Sequence, residues 1–150
     1  MQLSPHFSLA ELTVSEWAKA NGVSNQPDSD LHWRNLRRLA TELEAVREVL
    51  GNNPIIITSA YRNRRVNAAV GGVPNSAHAE GLACDFTCPR FGDVTAVCKA
   101  INEARHLHFD QLIWEYGRWT HIGYRDRILS QRRQLLTKRE GQGYVPGIPN

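Results

Sequence analysis

The spacing Ser76-x-His78-x-x-Gly81-x-Ala83-x-Asp85 constrains this chain most, because it runs directly into Ala83-Cys84-Asp85-Phe86-Thr87-Cys88. That hexapeptide alternates small or polar residues with larger apolar ones, the period of a half-buried strand. The alternation sends Cys84, Phe86 and Cys88 into a core and turns Ala83, Asp85 and Thr87 towards a cleft. Any fold for this sequence must therefore pack one face of that strand while its other face offers a carboxylate, with a histidine seven residues upstream. Gly81 and Ala83 are small enough to leave room in the cleft for a metal and a substrate.

Imidazole and carboxylate are the mixed donor set that zinc accepts, and a catalytic zinc holds three protein ligands with a fourth position open. His78 and Asp85 can supply two of the three. Either residue alone reads more readily as a hydrogen-bonded core or surface group. The pair within the fuller spacing is what points to a metal.

On Ser76, His78, Gly81, Ala83 and Asp85 the chain resembles the D-alanyl-D-alanine carboxypeptidase family of zinc peptidases, peptidase family M15, which also includes phage endolysins. It is most similar to that family's short, single-domain members. Three further stretches carry the resemblance. Ile55-Ile56-Ile57-Thr58 is a β-branched run suited to a buried strand. It delivers Arg62, which matches an arginine that the resembled enzymes carry after this strand. A guanidinium offers a fixed fork of donors for a carboxylate or a developing oxyanion. Phe109 to Glu115 and Trp119 to Tyr124 read as two strands joined by Tyr116-Gly117-Arg118, and they resemble the family's closing FDQLI and W-x-H piece. The opening Leu3 to Leu12 is similar to the start of the short chains, where it has no catalytic role, which makes His6 structural.

The third ligand implied is His121. If Glu115 pairs with Trp119 across the turn, Ile113 pairs with His121, and Glu115 lies diagonal to His121 within reach of a long side chain. Glu115 is thus the candidate base, with Asp110 a competing carboxylate on the opposite strand face. Many of the resembled enzymes carry an acid or histidine two or three positions before the last ligand, where this chain has Trp119 and Arg118. His106-x-His108 is a second imidazole pair, placed where a helix should end and where histidine suits the negative end of the helix dipole.

The remaining chain supplies a scaffold. Ser8 and Glu11 have capping-box spacing before a short helix. After a loop over 21–30, Asp30 caps a core helix of about 20 residues, in which Leu36, Leu39, Ala40, Leu43, Val46, Val49 and Leu50 form one apolar stripe. Asn67 to Asn75 is a glycine-containing loop without GxGxxG spacing or a Walker lysine, and Val94, Val97, Cys98, Ile101 and Ala104 mark a second core helix within 90–105. SQRRQLLTKRE, from Ser130, fits a short helix or a strand, the resemblance favouring strand or irregular structure; residues 141–150 read as a loose extended end.

The fold expected is a single α+β domain over 1–150. A small antiparallel or mixed sheet from segments near 55–58, 83–88, 109–115 and 119–124 packs against helices near 31–50 and 91–105. At 150 residues, 41% hydrophobic and 22% charged, the chain is ordinary for one globular domain. It shows neither a signal-peptide pattern nor a membrane-length apolar run, so a bacterial host's cytoplasm is the expected compartment until release to the wall. Cys84, Cys88 and Cys98 are an odd set without CxxC spacing and read as reduced, buried residues.

The resemblance implies one Zn2+ held by His78, Asp85 and His121. Glu115 would be the base, Arg62 would hold the substrate carboxylate or oxyanion, and Ser76 would assist in binding. The implied reaction is hydrolysis of a peptide bond in the peptidoglycan stem or cross-link by a monomeric endolysin. The competing reading is a non-catalytic wall-binding or phage structural protein that retains the zinc as a clip. The net charge of +3 and pI of about 9.0 reflect a basic late segment, with Arg118, Arg125, Arg127, Arg132, Arg133, Lys138 and Arg139 against Asp126 and Glu140. Such a face favours an anionic cell envelope. No zinc-finger, RRM or helix-turn-helix signature supports nucleic acid as the partner.

Overall fold

The computed structural model describes residues 1–150 as an α+β structure with a mixed sheet. Two compact units emerge from its contacts, one of residues 1–44 and 57–84 and the other of 45–56 and 85–150. Their boundaries fall inside a helix, α3 (Asp30–Val49), and inside two strands, β3 (Ile56–Ser59) and β4 (Ala83–Thr87).

In the first unit the chain opens with a small hairpin, β1 (Gln2–Ser4) against β2 (Phe7–Ser8). The single short helix expected next is two, α1 (Leu9–Leu12) and α2 (Glu16–Ala20). Each has its own serine cap: Ser8 forms a full capping box with Glu11, and Ser15 accepts from the Ala18 N–H. That second cap divides the segment. His6 donates to Glu44, which also accepts from the Ser4 hydroxyl at 2.6 Å, so its work is structural. Helix α3 starts at Asp30, but its capping side chain is Ser29, whose Oγ accepts from the His32 N–H. Most of the stripe forms: Leu36, Leu39, Ala40, Leu43, Val46 and Leu50 are buried, while Val49 is half-buried.

β3 (Ile56–Ser59) lies one residue later than the β-branched run suggested, and it alternates exposure. After it, α4 (Arg64–Ala69) occupies part of the stretch expected to be loop, with Asn63 as its cap. α5 (Ala77–Glu80) then leads into β4, where Cys84, Phe86 and Cys88 are buried as the alternation required. Ala83 is buried too, while Asp85 and Thr87 are half-buried.

The second unit contains α6 (Val94–Glu103), capped by Asp93, with Val97, Cys98 and Ile101 buried. β5 (Gln111–Glu115) and β6 (Trp119–Gly123) pair antiparallel in the anticipated register, Ile113 opposite His121 and Glu115 opposite Trp119. The basic tail resolves as strand: β7 (Gln134–Lys138) runs parallel to β5, and β8 (Val145–Pro146) turns back against it. The expected loose end is thus pinned from within. Gly147 N–H donates to the Leu135 carbonyl at 2.7 Å, and the Thr137 hydroxyl donates to the Gly147 carbonyl at 2.7 Å. The six-stranded sheet has the order β3-β4-β6-β5-β7-β8. No helix is long and apolar enough to cross a membrane.

Candidate metal centre

His78 sits on a helix of only four residues whose two ends are both defined by the motif. Ser76 is the N-cap, its Oγ accepting from the Ala79 N–H at 3.2 Å, and it also lies 3.3 Å from Asn67 Oδ1. Gly81 is the C-cap, with φ of 79°, a left-handed conformation that glycine adopts without a Cβ penalty. The motif's glycine is therefore explained by backbone direction: it turns the chain from His78 into β4. A Cβ there would also approach Leu36 Cγ to 3.4 Å.

The end of the β3 segment runs beside this helix. The Ala60 carbonyl lies 2.7 Å from His78 Nδ1, and the Arg62 N–H donates to the His78 carbonyl at 3.0 Å. A carbonyl only accepts, so Nδ1 carries the proton and Nε2 keeps its lone pair for a ligand. His78 is 5% exposed, so this orientation is held by packing as well as by the hydrogen bond. Arg62 is half-buried, one peptide from the residue that carries the Tyr61 ring into the core.

On the sheet, His121 Nδ1 lies 2.8 Å from Asp85 Oδ1 and 3.6 Å from Glu115 Oε1. All three side chains are largely buried. The His78, Asp85 and His121 ligand atoms lie within 4.8 Å of one another. Ligand atoms around a tetrahedral zinc are roughly 3.4 Å apart, so the donor types and their spacing fit such an ion. Glu115 stands next to this group without being needed as a ligand, where a base would be useful.

Residues 5–123 match the family described as peptidase M15. The chain belongs to the peptidase M15 family. Members of that family and this chain share the span that holds His78, Asp85, Glu115 and His121. The zinc D-Ala-D-Ala carboxypeptidase of Streptomyces albus G is 31% identical over 72 residues, 48% of this chain and 27% of that protein. This chain thus matches about a quarter of that relative's length. M15 membership implies Zn2+, and His78, Asp85 and His121 could hold it.

Other residues marked by the sequence have different placements. Asp110 is buried, and both of its oxygens receive the Arg132 guanidinium, at 2.9 and 2.8 Å. Burial pushes its carboxyl up, but the Arg132 hydrogen bonds and charge, with Arg125 adding to them, hold it below the usual carboxylate range. It is committed elsewhere. His106 and His108 are exposed and stand outside the three-residue group. Arg133 covers the Phe109 ring at 4.5 Å and donates to the Leu107 and Ala104 carbonyls, so part of the basic tail serves the fold. Sequence reasoning missed Tyr144, whose phenol is raised by burial and by the charges of Glu115, Tyr116 and Asp85. Only the return of β8 across the sheet brings it there, and no local pattern signals that.

Proposed function

We propose that this protein is a zinc-dependent peptidoglycan peptidase that hydrolyses a peptide bond in the stem or cross-link. The observation that carries the reading is the convergence of His78, Asp85 and His121, with Glu115 Oε1 3.6 Å from His121 Nδ1. Zinc bound there would supply Lewis acidity, polarising a carbonyl and lowering the pKa of water towards neutrality. Glu115 takes the proton from the attacking water and returns one to the leaving amine. Arg62 holds a substrate carboxylate or the oxyanion, and Ser76 assists in binding the substrate. The Ala60 carbonyl keeps His78 in one tautomer throughout.

Two substitutions separate these roles. His121→Ala should lose both bound zinc and hydrolysis while keeping the fold. Glu115→Gln should keep zinc and slow hydrolysis by roughly 10²- to 10⁴-fold, the usual contribution of a general base. Zinc content and lytic activity both retained in His121→Ala would overturn the ligand assignment.

We further propose that the protein works as a monomeric phage endolysin, waiting in the host bacterium's cytoplasm and acting at the wall once released. Its basic balance supports adhesion to an anionic envelope. Arg132 is paired with Asp110, so the exposed Arg118, Arg127 and Arg139 are the informative positions. Changing all three to Gln should weaken binding to purified envelopes and flatten its salt dependence. Unchanged binding would remove this part of the proposal.

A further inference from the structure

Lys138 of β7 pairs with Glu115 of β5, and Glu115 pairs with Trp119 of β6. Directly paired residues share a face of the sheet, and residues two apart on a strand share it too. Trp119, Glu115 and Lys138 therefore form one row on the face that carries His121. β8 extends that row. With Val145 opposite Thr137, Tyr144 falls beside Lys138, and the Lys138 ammonium lies 5.5 Å from the centre of the Tyr144 ring.

The hairpin that presents Tyr144 is fixed. Lys138 Nζ donates to the Gln142 carbonyl, Gln142 N–H donates to Arg139, and the two Gly147 hydrogen bonds fasten the far side. Tyr144 is nevertheless 58% exposed, a large aromatic held against solvent at the Glu115 end of the site.

At the other end of the row Trp119 leans on Tyr116, with ring centroids 5.4 Å apart. Its indole N–H is buried and has no acceptor.

We infer that Tyr144 is a substrate-contacting residue, and that the row from Trp119 to Tyr144 receives the peptide backbone on either side of Glu115. The inference rests on the peptidase reading and adds to it a contact from the C-terminal hairpin. Lys138 is a positioning residue that holds the Tyr144 ring. Tyr144 is exposed, so its substitution leaves the core untouched.

The test is kcat and KM for wild type, Tyr144→Ala and Tyr144→Phe on one soluble peptidoglycan peptide, with zinc content and thermal unfolding measured on each. Tyr144→Ala should lower kcat/KM about tenfold or more, mainly through KM, with zinc content and unfolding unchanged. A loss in Tyr144→Ala alone assigns the contact to the ring, and a loss in both variants assigns it to the hydroxyl. Wild-type kcat/KM in Tyr144→Ala, from an active enzyme, would overturn this inference alone. An inactive, zinc-loaded wild type would overturn the peptidase reading and this inference with it.

Discussion

Asp110 and Glu115 lie five residues apart in one segment, and their surroundings give them different work. Strand alternation already separates them onto opposite faces, and this much is legible in the sequence. What the sequence hides is the partner of each: Arg132, read as one charge in a basic tail, reaches back 22 residues to grip Asp110 with two hydrogen bonds. Ser76 and Gly81 are similar cases, since their chemistry drew attention while their caps on a four-residue helix are visible only in the fold. The Asp110 carboxyl is held below its ordinary value near pH 3.9, so its contribution to stability is present above that pH and is lost as pH falls through the folded value. Solvent screening at the half-exposed Arg132 reduces the size of the effect. Asp110→Asn should therefore unfold at lower urea than wild type at pH 7, with the gap narrowing below about pH 4. A gap independent of pH would show that the pair does not act through charge.

At the scale of elements, β4 shows why a short pattern sufficed. Cys84, Phe86 and Cys88 are each no more than 1% exposed, so packing leaves this strand one orientation and Asp85 must take the other face. Slipping the register by one residue would bury the carboxylate. Phe86→Ala should cost about 3–5 kcal/mol in urea unfolding. A cost under about 1 kcal/mol would mean that the strand is not anchored as described. The long helix α3 was equally legible, because its 20 residues repeat the apolar period several times. α4, with six residues, is too short for that period to show, and its start depends on the Asn63 cap. β7 was ambiguous for another reason. Gln134-Leu-Leu-Thr-Lys138 has no clean alternation, and its pairing with β5 is parallel and distant in sequence.

In the whole molecule, the candidate residues are carried by separate elements: His78 on α5, Asp85 on β4, and Glu115 and His121 on β5 and β6. The hairpin register could be read because one three-residue loop fixes it. The C-terminal return through β7 and β8 could not, and with it came the position of Tyr144. Membership of the M15 family agrees with the metal-ligand spacing, while the bond cut depends on residues around the ligands. The central claim is hydrolysis by a metal-dependent site, and the most direct measurement is mass spectrometry of fragments released from purified Gram-negative peptidoglycan. It would be run with the protein, with a chelator added, and with zinc restored. The account predicts fragments that appear, vanish and return, with the new amine and carboxylate identifying the bond. A folded protein that contains zinc and releases no fragments under any of the three conditions would contradict it.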